Sequence, residues 1–222
     1  MASESTFTFE TDVTLVSNLQ LVFSKDNPSN TVLTPINGSG PCYSAAAKTR
    51  DGKDMITTYR KSEEPTDDWE NKPIIASLQW REFFSDKISF AGKSPSSTSS
   101  VFKKRILSTT VSFSDDQGRK YEWRGFGPGL QMVLFEKGGK GGIAEFKRSR
   151  LDHATQTLSP AILTLDPRAT EIIDLVVISF LVLEKDRRID DTSTSNKADA
   201  LTLSNIGVGN VLNNDNVRGH GV

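Results

Sequence analysis

Cys42 is the single cysteine of the chain, and it closes a turn-forming stretch, Asn37-Gly38-Ser39-Gly40-Pro41. As a thiolate it would be a nucleophile, but activation needs a base or a cation beside it, and its sequence neighbours supply neither. It reads as a buried or incidental thiol. One cysteine also excludes an intrachain disulfide and a cysteine-based zinc site. The two histidines are His153 and His220. His153 follows Asp152 and could act as a base, yet adjacent side chains do not define a site, so it reads as a surface histidine. Acids are paired at Asp67-Asp68 and Asp115-Asp116. Glycosidase chemistry needs two carboxylates facing each other in a cleft, and neighbours in a loop do not provide that.

Two glycine-rich stretches resemble phosphate loops without matching them. Gly125-Phe126-Gly127-Pro128-Gly129 lacks the G-x-G-x-x-G spacing, and Lys137-Gly138-Gly139-Lys140-Gly141-Gly142 is not a Walker loop. Both read as turns. The nucleophile elbow G-x-S-x-G and the zinc helix H-E-x-x-H are absent from the sequence. No catalytic, cofactor-binding or metal-ligating residue is assigned, and no cofactor is expected.

Charge carries the remaining functional signal. The chain holds 27 bases and 28 acids, a net charge of −1, which disfavours bulk nucleic-acid binding. The bases are unevenly spread: residues 102–150 contain eleven against five acids. Lys103, Lys104, Arg105, Lys147 and Arg148 are the candidate anion-binding residues in that segment. A local positive face on a near-neutral chain suits an anionic membrane or an acidic partner.

The elements that must position these residues are mostly extended. Leu15-Val16 with Leu19–Phe23, Thr31–Thr34, Tyr43–Thr49, Met55–Tyr59, Ile74–Trp80 and Ile88–Phe90 read as short strands between turn signals. Asp51-Gly52 marks a hairpin turn. Residues 61–73 read as a loop and 92–100, GKSPSSTSS, as a linker. Thr109, Val111 and Phe113 alternate with polar neighbours, as do Tyr121 and Trp123, which predicts a half-buried hairpin about Asp115-Asp116-Gln117-Gly118. Leu130–Phe135, Ile143–Phe146 and Ala161–Leu165 complete the strands.

The pattern then changes. From Thr170 to about Arg188 there is no proline or glycine, and apolar residues from Ile172 to Leu183 fall on every side of a helical wheel. Glu171 at the start and Lys185, Arg187 and Arg188 at the end suit the helix dipole. A central strand is the competing reading, but the run is long for one. Twelve helical residues rise roughly 18 Å, short of the roughly 30 Å core of a bilayer, so no transmembrane span is expected. The first residues, MASESTFTFETD, lack the basic and apolar regions of a signal peptide. A helix that is apolar all round asks to be enclosed, and a closed antiparallel barrel would enclose it and remove edge strands. The expected architecture is thus mainly β: a barrel domain over 12–188 around a C-terminal hydrophobic helix, then a largely disordered polar tail over 189–222.

Three segments carry a resemblance: Asp116 to Arg124, Leu163-Thr164-Leu165-Asp166, and Ile172 to Lys185. They resemble an uncharacterised family of mushroom-forming (basidiomycete) fungi, catalogued as a domain of unknown function. That family is similar in pattern to tubby-like barrels, the fold also proposed for phospholipid scramblases and LURP-one-related proteins. The resemblance implies a twelve-stranded barrel around a hydrophobic helix. Tubby proteins bind phosphoinositides through basic residues, but no such motif aligns here residue by residue.

The functional expectation is a non-catalytic cytoplasmic binding or scaffold module, peripheral to membranes, with anionic phospholipid headgroups or an acidic protein as its ligand. The alternative is an enzyme with a surface site built from loops 61–73 and 125–129. The oligomeric state is not readable from the sequence.

Overall fold

A computed structural model describes residues 18–50, 54–81, 84–106, 108–127 and 129–211. The strand expected at Leu15-Val16 and the turn at Asp51-Gly52 lie outside the described residues.

One arm of the main sheet is a meander of β1 (Leu19–Phe23), β2 (Asn30–Pro35), β3 (Cys42–Arg50), β4 (Asp54–Ser62), β5 (Ile74–Gln79), β6 (Lys87–Phe90) and β7 (Ser96–Ser97). A four-residue helix, α1 (Thr98–Val101), leads to the other arm: β8 (Lys103–Lys104), β9 (Thr110–Ser114), β10 (Lys120–Arg124), β11 (Val133–Glu136) and β12 (Gly142–Lys147). A separate hairpin, β13 (Arg150–Asp152) with β14 (Thr157–Ser159), follows. Then β15 (Ile162–Leu165) runs between β12 and β1 and joins the two arms. The order across the sheet is β7-β6-β5-β4-β3-β2-β1-β15-β12-β11-β10-β9-β8. Alternation dictates the buried face: Thr31, Leu33 and Pro35 in β2, Val111 and Phe113 in β9, Tyr121 and Trp123 in β10.

The chain then turns into helix by local rules. Asp166 caps α2 (Pro167–Thr170), its Oδ1 accepting the Ala169 N–H at 3.0 Å, with Pro167 at the first helical position. α3 (Ile173–Val211) follows. Its consecutive residues Val176–Leu183 are buried. Phe180 packs on Phe23 of β1, Trp123 of β10 and Phe146 of β12, with ring centroids 6.0, 5.8 and 4.5 Å away. Ser179 accepts a hydrogen bond from Trp123 Nε1 at 2.9 Å. Lys185 meets the first arm, pairing with Asp86 and standing over the Trp80 ring.

The closed tubby-like barrel around a central hydrophobic helix is overturned. Among the described residues the sheet is open: it ends at β7 and β8, which do not pair with each other. Closure would need two edge strands long enough to exchange a ladder of hydrogen bonds. Here each edge has two residues, and the serine-rich 92–100 segment supplies no apolar alternation to extend one. Nor is α3 a long apolar helix. Its apolar part ends at Leu183, and Glu184–Ser193 is almost wholly charged or hydroxylated. Among the described residues no helix is long and apolar enough to cross a membrane.

The stretch after Ile189, expected to be a largely disordered tail, continues α3 to Val211. No proline or glycine interrupts the chain between Ala169 and Ile206, so nothing there breaks the helix. The serine-rich linker likewise contains β7 and most of α1. The hairpin of β13 and β14 has no strong alternation and was not anticipated.

Candidate functional site

Of the five candidate anion-binding residues, three share one tip of the molecule. Buried Phe102 anchors the segment, its ring edge-on to Phe113 at 6.1 Å. The chain beyond it emerges into solvent, and Lys103 and Lys104 pair along β9 opposite Ser112 and Val111. Lys103, Lys104 and Arg105 are exposed and make no ion pair with any described residue. Lys104 Nζ stands 4.3 Å from the centroid of the Phe126 ring. Ile106 follows directly and is 95% exposed. The 125–131 loop lies alongside: Phe126 N–H donates to the Thr109 carbonyl at 2.8 Å, and Leu130 of that loop is 48% exposed. Gly125 shapes the loop, with φ of +83° and no room for a Cβ, which would fall 2.0 Å from the Gln131 carbonyl oxygen.

Lys147 and Arg148 belong elsewhere. Four inter-strand steps separate β12 from β8, about 19 Å at the usual strand spacing. Lys147 pairs with Glu145 at 3.3 Å, and Arg148 with Glu184 and Asp191 at 3.4 Å each. Arg148 is therefore part of a network where α3 leaves the sheet. Arg187 donates twice to Glu184 at 2.8 Å, and Arg188 Nε donates to it at 2.7 Å. Arg188 also reaches the carboxylate and the carbonyl of Asp26, and Asp26 accepts from Ser149 N–H at 3.0 Å and its hydroxyl at 2.5 Å.

Burial pushes the Asp26 carboxyl up, but the Ser149 hydrogen bonds and Arg188 outweigh it and hold the group below its ordinary 3.8. A depressed folded-state value means that the stabilisation is present above about pH 4 and is lost as pH falls through the folded value. The stability of the protein is therefore expected to fall on acidification below about pH 4, and Asp26→Asn is expected to flatten that limb in urea titrations at stepped pH. An unchanged acid limb in the variant would refute the assignment.

A concavity opens at the start of α3. It is a cleft of about 760 Å³ between β6 and β7 on one side and the β9–β10 turn on the other. Its floor includes Ile88, Phe90, Val101, Ile172, Ile173 and Ile178. Its charges are paired. Asp174 accepts from Tyr43 Oη at 2.6 Å and holds Lys61 at 3.2 Å; Arg119 bridges Asp115 at 2.6 Å and Glu171 at 2.9 Å; Lys93 pairs with Asp116. Burial and then the Asp174 charge push the Tyr43 hydroxyl up, so it stays a protonated donor. Sequence reasoning missed this cleft, because Tyr43 and Asp174 are 131 positions apart and neither sits in a motif.

The residues first considered for chemistry are dispersed. Cys42 is buried, and burial, then Glu63, push its thiol up, away from the thiolate a nucleophile needs. His153 sits in the exposed turn of the β13–β14 hairpin. Asp115 binds its own turn through the Gln117 and Arg119 N–H groups, and Asp68 binds Asn71 on an exposed loop. Loop 61–73 begins beside Asp174, whereas loop 125–129 follows Trp123, which meets α3 further along at Ser179. Among the described residues no group of three His, Cys, Asp or Glu side chains is arranged to hold a metal ion.

With this geometry in view, one family model matches residues 26–189; it is described as "Family of unknown function (DUF6593)". No curated protein and no solved structure matches the chain. The comparisons give no tubby-like, scramblase or fungal relationship, and the open sheet lacks the barrel that would carry one. Of the resemblance drawn from the sequence, only a domain of unknown function remains; the tubby-like and fungal parts do not.

Proposed function

The chain belongs to this family of unknown function, and we propose that it is a non-catalytic binding module that docks on an anionic membrane surface through the tip formed by Lys103, Lys104, Arg105, Ile106 and Leu130. The observation that supports this reading is the protruding Ile106 beside three bases that have no acidic partner among the described residues. Each well-placed base contributes about 1 kcal/mol of attraction to an anionic surface. Burying an isoleucine side chain adds roughly 1.5–3 kcal/mol. The sum describes weak, reversible docking that weakens with salt. On this reading the protein works in the cytoplasm as a peripheral membrane protein. An acidic protein would satisfy the same bases but gives Ile106 no specific role.

The test is co-sedimentation of the full chain with vesicles of neutral lipid, of neutral lipid plus phosphatidylserine, and with added phosphoinositide, at two salt concentrations. Pelleting is expected on anionic vesicles at low salt, with loss in K103E/K104E/R105E. Ile106→Asp should weaken it about tenfold, the equivalent of about 1.4 kcal/mol, while Lys147→Glu should leave it unchanged. Absence of pelleting on every anionic vesicle, or pelleting that survives the triple charge reversal, would refute the proposal.

A further inference from the structure

We infer that the cleft at the start of α3 is a binding site for a neutral amphiphile, a ligand with an apolar body and an uncharged hydroxyl, carbonyl or amide head. This site is independent of the basic tip. The tip residues are carried by β8, opposite Val111 and Ser112 of β9, and none of them lines the cleft, which borders Ser114 at the end of β9.

Three observations carry the inference. The cleft, about 760 Å³, lies within the range of roughly 300–1,000 Å³ typical of small-molecule sites. It exists because the sheet is open: the gap between β6–β7 and the β9–β10 turn leaves Ile172, just before α3, and Ile173, its first residue, only partly covered. An apolar body laid there would remove them, with Phe90 and Val101, from water.

The rim decides the head group. Lys61 is already engaged by Asp174 at 3.2 Å and by Glu63 at 3.4 Å, Arg119 by Asp115 and Glu171, and Lys93 by Asp116. Among the residues lining the cleft a carboxylate or phosphate head would find no unneutralised cation, and an ammonium head no unneutralised acid. Either would lose water without a compensating partner. The hydroxyls of Ser94, Ser96 and Ser114, by contrast, line the cleft and have no hydrogen-bond partner among the described residues. They can donate to or accept from an uncharged polar head.

The test uses the full chain, Nile red as the reporter, and as competitors 1-decanol below its solubility limit and decanoate and decylammonium below their micellar concentrations. Decanol is expected to displace the dye at concentrations about tenfold lower than either charged analogue, a difference of about 1.4 kcal/mol. Ser96→Trp and Ser114→Trp place bulk in the cleft from opposite edges at exposed positions, and each should weaken dye binding about tenfold or more while melting like wild type. K103E/K104E/R105E should bind the dye normally. Equal displacement by charged and neutral chains, or undiminished dye binding in both folded tryptophan variants, would overturn the inference. If either variant fails to fold, the ranking of the three competitors on the wild-type chain still decides it.

Discussion

Phe180→Ala is expected to leave little folded protein. The ring is fully buried and sits at the meeting point of three strands, against Phe23, Trp123 and Phe146. These strands belong to both arms of the sheet, with β15 between β1 and β12. A buried phenylalanine cut back to alanine costs about 3–5 kcal/mol in lost transfer energy and residual cavity. A domain of this size has only about 5–15 kcal/mol in total. The site has little freedom to collapse, because Val177 and Leu181 on the same helix are themselves enclosed. The measurement is the urea midpoint, with the soluble yield as a second readout. A variant whose midpoint stays within a few tenths molar of wild type would show that the helix is not held as described.

Glu184→Ala should cost a comparable amount, about 3–5 kcal/mol, by a different mechanism. The Glu184 side chain is 1% exposed and its carboxylate gathers Arg187, Arg188 and Arg148. Arg148 and Arg188 are partly exposed and can turn to water. Arg187, 3% exposed, cannot, and would keep only its longer contact with Asp191 at 3.4 Å. The penalty is therefore that of a buried cation deprived of its main partner. The control is Glu184→Ala with Arg187→Met, which removes the stranded charge and should recover most of the loss. If the double variant is no more stable than the single one in urea, the cost does not come from Arg187.

The two predictions differ in how far the sequence foreshadowed them. Phe180 was readable, because Ile172–Leu183 is apolar at every helical angle, which already requires enclosure. The alternating residues of β9 and β10 were equally readable, since a period of two is written in contiguous residues and a tight turn joins the strands. The Glu184 network was not. Arg187 and Arg188 read as end charges favourable to the helix dipole, Glu184 between them and the apolar run carried no signal, and nothing local indicated that Asp26, Ser149 and Arg148 would converge on them.

The larger difference between sequence pattern and structure is architectural. Enclosing an apolar helix does not require a closed barrel: two arms joined at β15 both reach the helix while their edges stay apart. Strand number and burial pattern come from local periodicity. Whether the last strands pair depends on how two segments far from the centre of the ladder meet, and two-residue strands flanking α1 offer too few backbone groups to join. The same gap produces the cleft. The basic residues make the point from the other side: a count along the chain put Lys103, Lys104, Arg105, Lys147 and Arg148 into one group, and the sheet order separated them. Residue type, alternation and helix-forming continuity are properties of neighbouring residues and survive in the sequence. The open edge, the paired rim of the cleft and the unpaired tip depend on which distant side chains come within a few ångströms, where ion pairs and hydrogen bonds form, and that distance exists only in the folded chain.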